Sequence, residues 1–144
     1  MIYQYTKNSG LEAQRLFEIV LFNYLVANAD MHLKNYSLIE NENEFNEYEL
    51  SPAYDLLNTL ILIPDDKEET ALTINGKKNR LKIEDFDKLA KSLKISEKSL
   101  ESIYKKFIKV KPKWDEFIQL SFLNDDVKLE YQEIVNNRFK NIFY

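Results

Sequence analysis

Apolar side chains recur at helical spacing over the first part of the chain. Residues 11–28 are amphipathic at first and then apolar on nearly every face. Such a pattern predicts a long helix that enters a hydrophobic core. Glu12, Arg15 and Glu18 interrupt the apolar positions and are expected to mark the solvent-exposed face of this helix.

Helical spacing returns in the C-terminal half. A helix is expected to end near Lys94 and another before Pro112, because proline disfavours a helix interior. A short helix is expected around Trp114, and Asp125 or Asp126 is expected to cap the last one. The apolar residues on the shared faces of these helices are expected to form the core: Phe86, Leu89, Ala90, Leu93, Leu100, Ile103, Tyr104, Phe107, Ile108, Phe117, Ile118, Leu129, Ile134, Val135, Phe139 and Ile142.

The segment between these helical regions has the pattern of short strands. Residues 36–40 and 47–50 are expected to pair as a hairpin across a polar turn over residues 41–46. A further short strand is expected at residues 71–74, and the apolar residues 56–63 are expected to pack beneath the loop before them. The predicted fold class is therefore mainly α (α+β), helical with a small β-hairpin.

Composition narrows the class of protein. A chain of 144 residues, 44% hydrophobic and 31% charged, is expected to form a single domain. Its net charge of −4 argues against a nucleic-acid-binding surface of its own. The absence of cysteine excludes disulfides and thiolate metal sites and fits a reducing compartment. No secretory signal or bilayer-spanning stretch is visible, so a soluble cytoplasmic protein without a membrane partner is expected.

Two short polar segments, residues 30–35 and 53–55, carry the candidate chemistry. Asp30, Asn35 five residues later and Asp55 beyond a hairpin follow the arrangement of ATP-dependent kinases. In that arrangement the first aspartate accepts the substrate hydroxyl proton, and the asparagine and second aspartate hold Mg²⁺. The Asp-to-Asn spacing alone equally fits a surface loop, but the second aspartate and the intervening hairpin favour a kinase site.

A family resemblance rests on three blocks of sequence. Residues 28–37 are NADMHLKNYS, residues 50–59 are LSPAYDLLNT, and residues 72–81 are LTINGKKNRL. Together they resemble the C-terminal domain of HipA-type toxin kinases over most of the chain. Met31 departs from the pattern, because many relatives have glycine there, but it leaves the Asp-to-Asn spacing intact.

The resemblance implies a protein-kinase-like C-lobe over residues 1–144, acting as the toxin of a toxin–antitoxin system. It implies transfer of the γ-phosphate of ATP to a protein hydroxyl, with Asp30 as the catalytic base and Asn35 and Asp55 as ligands of Mg²⁺. The implied partners are a protein substrate, a helix-turn-helix antitoxin and an N-lobe in cis or in trans. Contact with nucleic acid is expected only through the antitoxin.

A complete kinase also needs a glycine-rich loop and a lysine paired with a helix glutamate. The chain has only Gly10 and Gly76, and neither lies in such a loop. We therefore expect a C-lobe alone, as a fragment or half of a split kinase, with little ATP turnover of its own. The alternatives are a non-catalytic lobe that binds an antitoxin or a separate N-lobe, and a metal-dependent phosphate hydrolase.

Four further features bear on the site, and three of them have alternative interpretations. His32, the only histidine, either orients the catalytic loop or contacts phosphate, or it is a structural residue bonded to a backbone carbonyl. Lys34 is a candidate catalytic and ATP-binding residue that contacts the transferred phosphate, or it pairs with a carboxylate. Tyr54 is expected to pack within the lobe, with any function secondary. The basic run over residues 77–82 either binds phosphate, an acidic partner or nucleic acid, or forms a solvated turn and helix entrance.

Overall fold

The computed structural model describes residues 2–41, 47–63, 65 and 68–144. Within these residues the only sheet is a two-stranded hairpin, so the predicted mainly α fold class is confirmed. The elements in chain order are α1 (Ile2–Tyr5), α2 (Ser9–Leu25), a 3₁₀ turn (Leu33–Asn35), β1 (Leu38–Glu40), β2 (Tyr48–Leu50), α3 (Thr59–Leu62), α4 (Ile83–Ser92), α5 (Glu97–Leu120) and α6 (Asp125–Phe143).

Helix α2 enters the core, as the sequence predicted. Phe17, Leu21 and Tyr24 are fully buried in a cluster that also contains residues of α4, α5 and α6. The prediction for Glu12 was wrong, because this residue is only 4% exposed. Its carboxylate accepts a hydrogen bond from the Leu50 backbone N–H at 2.9 Å and therefore joins α2 to the hairpin.

The hairpin lies where it was predicted. Strands β1 and β2 are antiparallel, with Ile39 opposite Glu49; most of the predicted turn, residues 42–46, lies outside the described residues. The predicted strand at residues 71–74 was wrong. Ile74 and Lys77 instead form an isolated bridge that closes a tight turn, in which Asn75 and Gly76 both have positive φ.

Helix α5 runs through Pro112 without a break, so the predicted helix end before this residue was wrong. Aromatic packing continues across the proline. Trp114 meets the ring edges of Phe107 at 5.8 Å, Phe22 at 5.2 Å and Phe139 at 5.4 Å between centroids. Because residues on both sides of Pro112 contact the same core, this packing offsets the cost of the lost backbone hydrogen bond.

Helix α6 begins one residue earlier than an Asp125 cap requires and two residues earlier than an Asp126 cap requires, so the predicted cap was wrong. Asn124 is the N-cap, and its Oδ1 accepts a hydrogen bond from the Val127 N–H at 3.1 Å. Asp125 and Asp126 occupy the first turn instead. There their charges complement the positive end of the helix dipole.

Several apolar residues that were predicted to be buried are exposed. Phe117 and Leu129 are 71% and 61% exposed, and Ile108 is 40% exposed. Leu56, Leu62 and Ile63 are also exposed, so the expectation that residues 56–63 pack beneath the preceding loop was wrong at both ends of the segment. None of the helices in the described part of the chain has the length and apolar content needed to cross a membrane.

Candidate active site

The end of α2 determines where Asp30 leaves the core. Ala27 follows the helix in the left-handed region, with φ 57°. The Asn28 N–H then bonds to the Asn23 carbonyl at 2.8 Å and closes the helix end. Met31, the departure from the family pattern, is 3% exposed. Asp30 is therefore exposed at the surface between two buried residues, Asn28 and Met31.

The Asp30 side chain lies at the surface, where a base must be to reach a substrate. It is 58% exposed, and its Oδ1 lies 3.1 Å from His32 Nε2. His32 thus contacts the Asp30 carboxylate rather than a backbone carbonyl. This contact favours the interpretation of His32 as a residue that orients the loop, although such an exposed pair contributes little to stability.

Asn35 joins the two predicted segments. It ends the 3₁₀ turn and is 7% exposed. Its Nδ2 donates to Asp55 Oδ2 at 2.9 Å and lies 3.4 Å from the Asp30 backbone carbonyl. The structure therefore brings Asn35 together with the Asp55 carboxylate and with the backbone of Asp30.

The donor set at this point suits a small, hard cation. Asp55 is exposed and has a carboxylate, and Asn35, whose Nδ2 bonds to that carboxylate, also has an amide oxygen. Mg²⁺ commonly takes one or two protein oxygens and fills its other positions with water and phosphate. Among the described residues, no three His, Cys, Asp or Glu side chains gather in one place, so the candidate site consists of this carboxylate and this amide.

Tyr54 bridges the two segments. It is 42% exposed, so the expectation that it packs within the lobe was wrong. Its hydroxyl donates to the Lys34 carbonyl at 3.1 Å and lies 2.8 Å from Ser37 Oγ. The Lys34 backbone is thereby fixed beside residues 53–55. The Lys34 side chain itself is exposed.

The basic turn after residue 74 is anchored to α4 through Asp85. Asp85 is 2% exposed and accepts hydrogen bonds from Lys77 Nζ at 2.9 Å, Asn75 Nδ2 at 2.6 Å and the Lys82 N–H at 3.0 Å. Burial alone raises the pKa of Asp85, but these hydrogen bonds and the Lys77 charge outweigh it and lower the pKa. Lys78 pairs with Glu68 at 2.9 Å. These contacts favour the interpretation of the run as a turn and helix entrance.

Two residues that connect the site segments were not singled out from the sequence. Asn28 bonds to Asp55 and Asp30, and Thr59 bonds to Ala27 and Ala29. Both lie within the family blocks, but no spacing rule gives them a role. Only their burial, 1% for Asn28 and 6% for Thr59, reveals that their polar groups are used internally.

Comparison with known proteins identifies the family of the chain. Residues 1–114 match the sequence model of the HipA-like C-terminal domain. The chain belongs to this family. A curated relative is Y4dM of Sinorhizobium fredii (strain NBRC 101917 / NGR234), named as a candidate kinase. It is 38% identical over 94 residues, which cover 64% of this chain and 22% of Y4dM.

The fold of this HipA-like domain matches a solved toxin structure. The HipA chain in the Shewanella oneidensis MR-1 complex of HipA, HipB and operator DNA superimposes with a TM-score of 0.75 at 20% identity. The match covers 94% of this chain and 33% of that HipA chain. The likeness at this identity establishes the fold. The chain thus spans a third or less of both proteins.

Proposed function

We propose that this HipA-like domain is the catalytic C-lobe of a Ser/Thr protein kinase, the toxin of a toxin–antitoxin system. The observation that supports it most directly is the Asn35 amide, which lies 2.9 Å from the Asp55 carboxylate and 3.4 Å from the Asp30 carbonyl. One side chain therefore connects a candidate base to a candidate metal ligand. Phosphoryl transfer from a metal-bound nucleotide requires the base and the metal ligands to be positioned at one site.

The roles follow from exposure and donor chemistry. Asp30 is exposed and accepts the proton of the substrate hydroxyl, while His32, at 3.1 Å, limits the orientations of its carboxylate. Asn35 Oδ1 and the Asp55 carboxylate would hold Mg²⁺, which would neutralise phosphate charge when bound with ATP. Lys34 is exposed on the same turn. Its ammonium would contact a phosphate oxygen.

The remaining parts of the machinery come from outside the domain. The glycine-rich loop and its lysine belong to an N-lobe, in cis or in trans, which covers ATP. The Shewanella relative forms a complex with HipB and operator DNA. By analogy, this chain has a helix-turn-helix antitoxin as a partner and contacts DNA only through it. A protein hydroxyl in the cytoplasm is the phosphate acceptor.

One observation favours a second candidate function, that of a non-catalytic binding lobe. Phe117, Leu120 and Phe122 are 71%, 80% and 109% exposed at and just beyond the end of α5. Neighbouring exposed apolar side chains are typical of surfaces that bind another protein. A lobe that binds an antitoxin or a separate N-lobe would use such a surface without needing Asp30 or Asp55.

Phosphate transfer from labelled ATP to protein tests the proposal. The chain alone should show little turnover, and addition of the N-terminal part of its kinase should produce Mg²⁺-dependent transfer. Asp55→Ala should then raise the Mg²⁺ concentration needed for half-maximal rate, whereas Lys78→Ala should not. An active assembly with no Mg²⁺ requirement, or one that releases only inorganic phosphate, would contradict the kinase assignment.

A further inference from the structure

Asn28, a buried residue outside the proposed chemistry, bonds to both loops of the candidate active site. Its Nδ2 donates to Asn23 Oδ1 at 2.8 Å and to the Asp55 backbone carbonyl at 3.0 Å. Its Oδ1 accepts from the Asp30 N–H at 3.2 Å. One amide group therefore connects the residue proposed as base with a residue proposed as metal ligand.

The bonding pattern at this position demands an amide. A primary amide offers two N–H donors and one carbonyl acceptor, and Asn28 uses all three functions. An aspartate has the same shape but only acceptor oxygens when ionised. It would therefore face Asn23 Oδ1 and the Asp55 carbonyl with a negative charge instead of two hydrogen bonds.

Thr59 holds the same loop from the other side. Its Oγ1 donates to the Ala27 carbonyl at 3.1 Å and accepts from the Ala29 N–H at 2.9 Å. The Thr59 N–H also donates to the Ala27 carbonyl, at 3.0 Å. Thr59 lies at the start of α3, so these bonds connect that helix to the residues just before Asp30.

These two side chains bond to the two residues of the site loops that have a left-handed backbone. Ala27 has φ 57° and Asp55 has φ 56°, a region that residues other than glycine seldom occupy. Thr59 bonds to the carbonyl of Ala27, and Asn28 bonds to the carbonyl of Asp55. Unfavourable backbone conformations persist only where surrounding contacts hold them. Without these bonds, both loops are expected to relax.

We propose that Asn28 and Thr59 are positioning residues that fix the Asp30 loop against the Asp55 loop, so that the base and the metal ligands act on one phosphate. The inference rests on the proposed kinase function. Neither residue touches substrate; each acts through the backbone of the site loops. Groups that orient metal ligands in this way typically change metal affinity about 10–100-fold when removed.

The experiment measures, by electron paramagnetic resonance, the affinity for Mn²⁺ of the chain assembled with the N-terminal part of its kinase, in the presence of ATP and against an ATP-only blank. Mn²⁺ is a suitable probe because it accepts the carboxylate and amide oxygens that Mg²⁺ uses. Thr59→Val, which removes only the hydroxyl, should weaken Mn²⁺ binding about tenfold or more. Thr59→Ser, which keeps the hydroxyl, should restore it. Hydrogen exchange of the Ala29 amide should be faster in Thr59→Val than in Thr59→Ser.

Asn28→Asp should weaken Mn²⁺ binding in the same direction, with Asn137→Asp as its matched control. Asn137 is exposed on α6, so the control adds the same charge away from the site. Thermal unfolding of each variant monitors the fold; if Asn28→Asp does not fold, the Thr59 pair decides the question.

Three outcomes would overturn the inference. Wild-type affinity in Thr59→Val, with faster exchange at Ala29, would show that the bonds exist but do not position the site, and would leave the proposed function intact. Equal losses in Thr59→Ser and Thr59→Val would show that the hydroxyl is not responsible. A wild-type assembly that binds no more Mn²⁺ than free ATP does would contradict both this inference and the proposed function.

Discussion

The helical core and the candidate active site are held together by different forces. In the core, the indole ring of Trp114 makes edge contacts with three other aromatic rings, at centroid distances of 5.2, 5.8 and 5.4 Å. At the site, Asn28, Thr59 and Asn35 each supply a few directed hydrogen bonds to loop backbone or to a carboxylate. Apolar packing is roughly proportional to buried area, whereas a hydrogen bond depends on one geometry. We therefore expect the packed helices to contribute most of the free energy of folding. The hydrogen bonds of the loops are expected to fix the positions of the site residues.

This contrast predicts different consequences of substitution. A change in the core should lower the free energy of unfolding. A change to an exposed side chain of the site should lower the reaction rate and leave the free energy of unfolding nearly unchanged. Three substitutions test the stability side of the contrast, with effects that decrease from the first to the third.

Phe139→Ala should have the largest effect on stability. Phe139 is 4% exposed and contacts the rings of Trp114 and Phe143, each at 5.4 Å between centroids. Truncation of a buried phenylalanine typically lowers the free energy of unfolding by about 3–5 kcal/mol. Phe122→Ala is the matched control, since Phe122 is fully exposed, and it should change stability by less than about 0.5 kcal/mol. Urea unfolding measures both, and equal effects would contradict the assigned core.

Asp85→Asn should have an intermediate effect that depends on pH. Hydrogen bonds to a buried carboxylate contribute about 1.5–3 kcal/mol each, so we expect a loss of about 2 kcal/mol near neutral pH. Because the folded pKa of Asp85 is below the ordinary 3.8, its contribution is fully present above that value. It is lost as the pH falls toward the folded pKa.

The difference between wild type and Asp85→Asn should therefore shrink when urea unfolding is repeated at successively lower pH. Asp126→Asn, at an exposed carboxylate in the first turn of α6, is the control and should show only a small difference at any pH. A constant gap between wild type and Asp85→Asn down to acid pH would contradict the role of the Asp85 charge.

Asn124→Ala should have the smallest of the three effects. Loss of an N-cap side chain typically costs about 1 kcal/mol. Asn124→Asp keeps an oxygen that can accept from the Val127 N–H and should stay close to wild type. Thermal unfolding would measure the stability of both variants. A larger loss of stability in Asp125→Ala than in Asn124→Ala would indicate that Asp125 is the N-cap, as the sequence pattern predicted.

Periodicity predicted the helices well, because apolar spacing is a local property of the sequence. It placed α2, the end of α4 and the hairpin close to their observed positions. It was wrong at Pro112, because the packing of Trp114 on both α2 and α6 is a tertiary contact. It was also wrong for Glu12, which is buried and accepts a hydrogen bond from Leu50 in strand β2, far along the chain. Local pattern contains no information on such partners.

Residue chemistry located the site residues but not the contacts that hold them. The Asp30, Asn35 and Asp55 spacing identified segments that meet through the Asn35 amide. Their roles in catalysis stay predictions. Asn28 and Thr59 gave no signal, since an asparagine or threonine has the same appearance in a sequence whether it bonds to water or to a loop. The positive φ of Asp55 could likewise not be predicted from the sequence, because aspartate is compatible with many backbone conformations.

The most direct test of the central claim is the rate of phosphate transfer from labelled ATP by the assembled kinase carrying Asp30→Ala. Asp30 is exposed and contributes little packing, so the free energy of unfolding should change by less than about 0.5 kcal/mol. The rate should fall at least about a hundredfold, as expected for the loss of a general base. Lys78→Ala should retain nearly the wild-type rate. Equal and undiminished rates in the two variants would contradict the kinase assignment and favour the non-catalytic binding lobe.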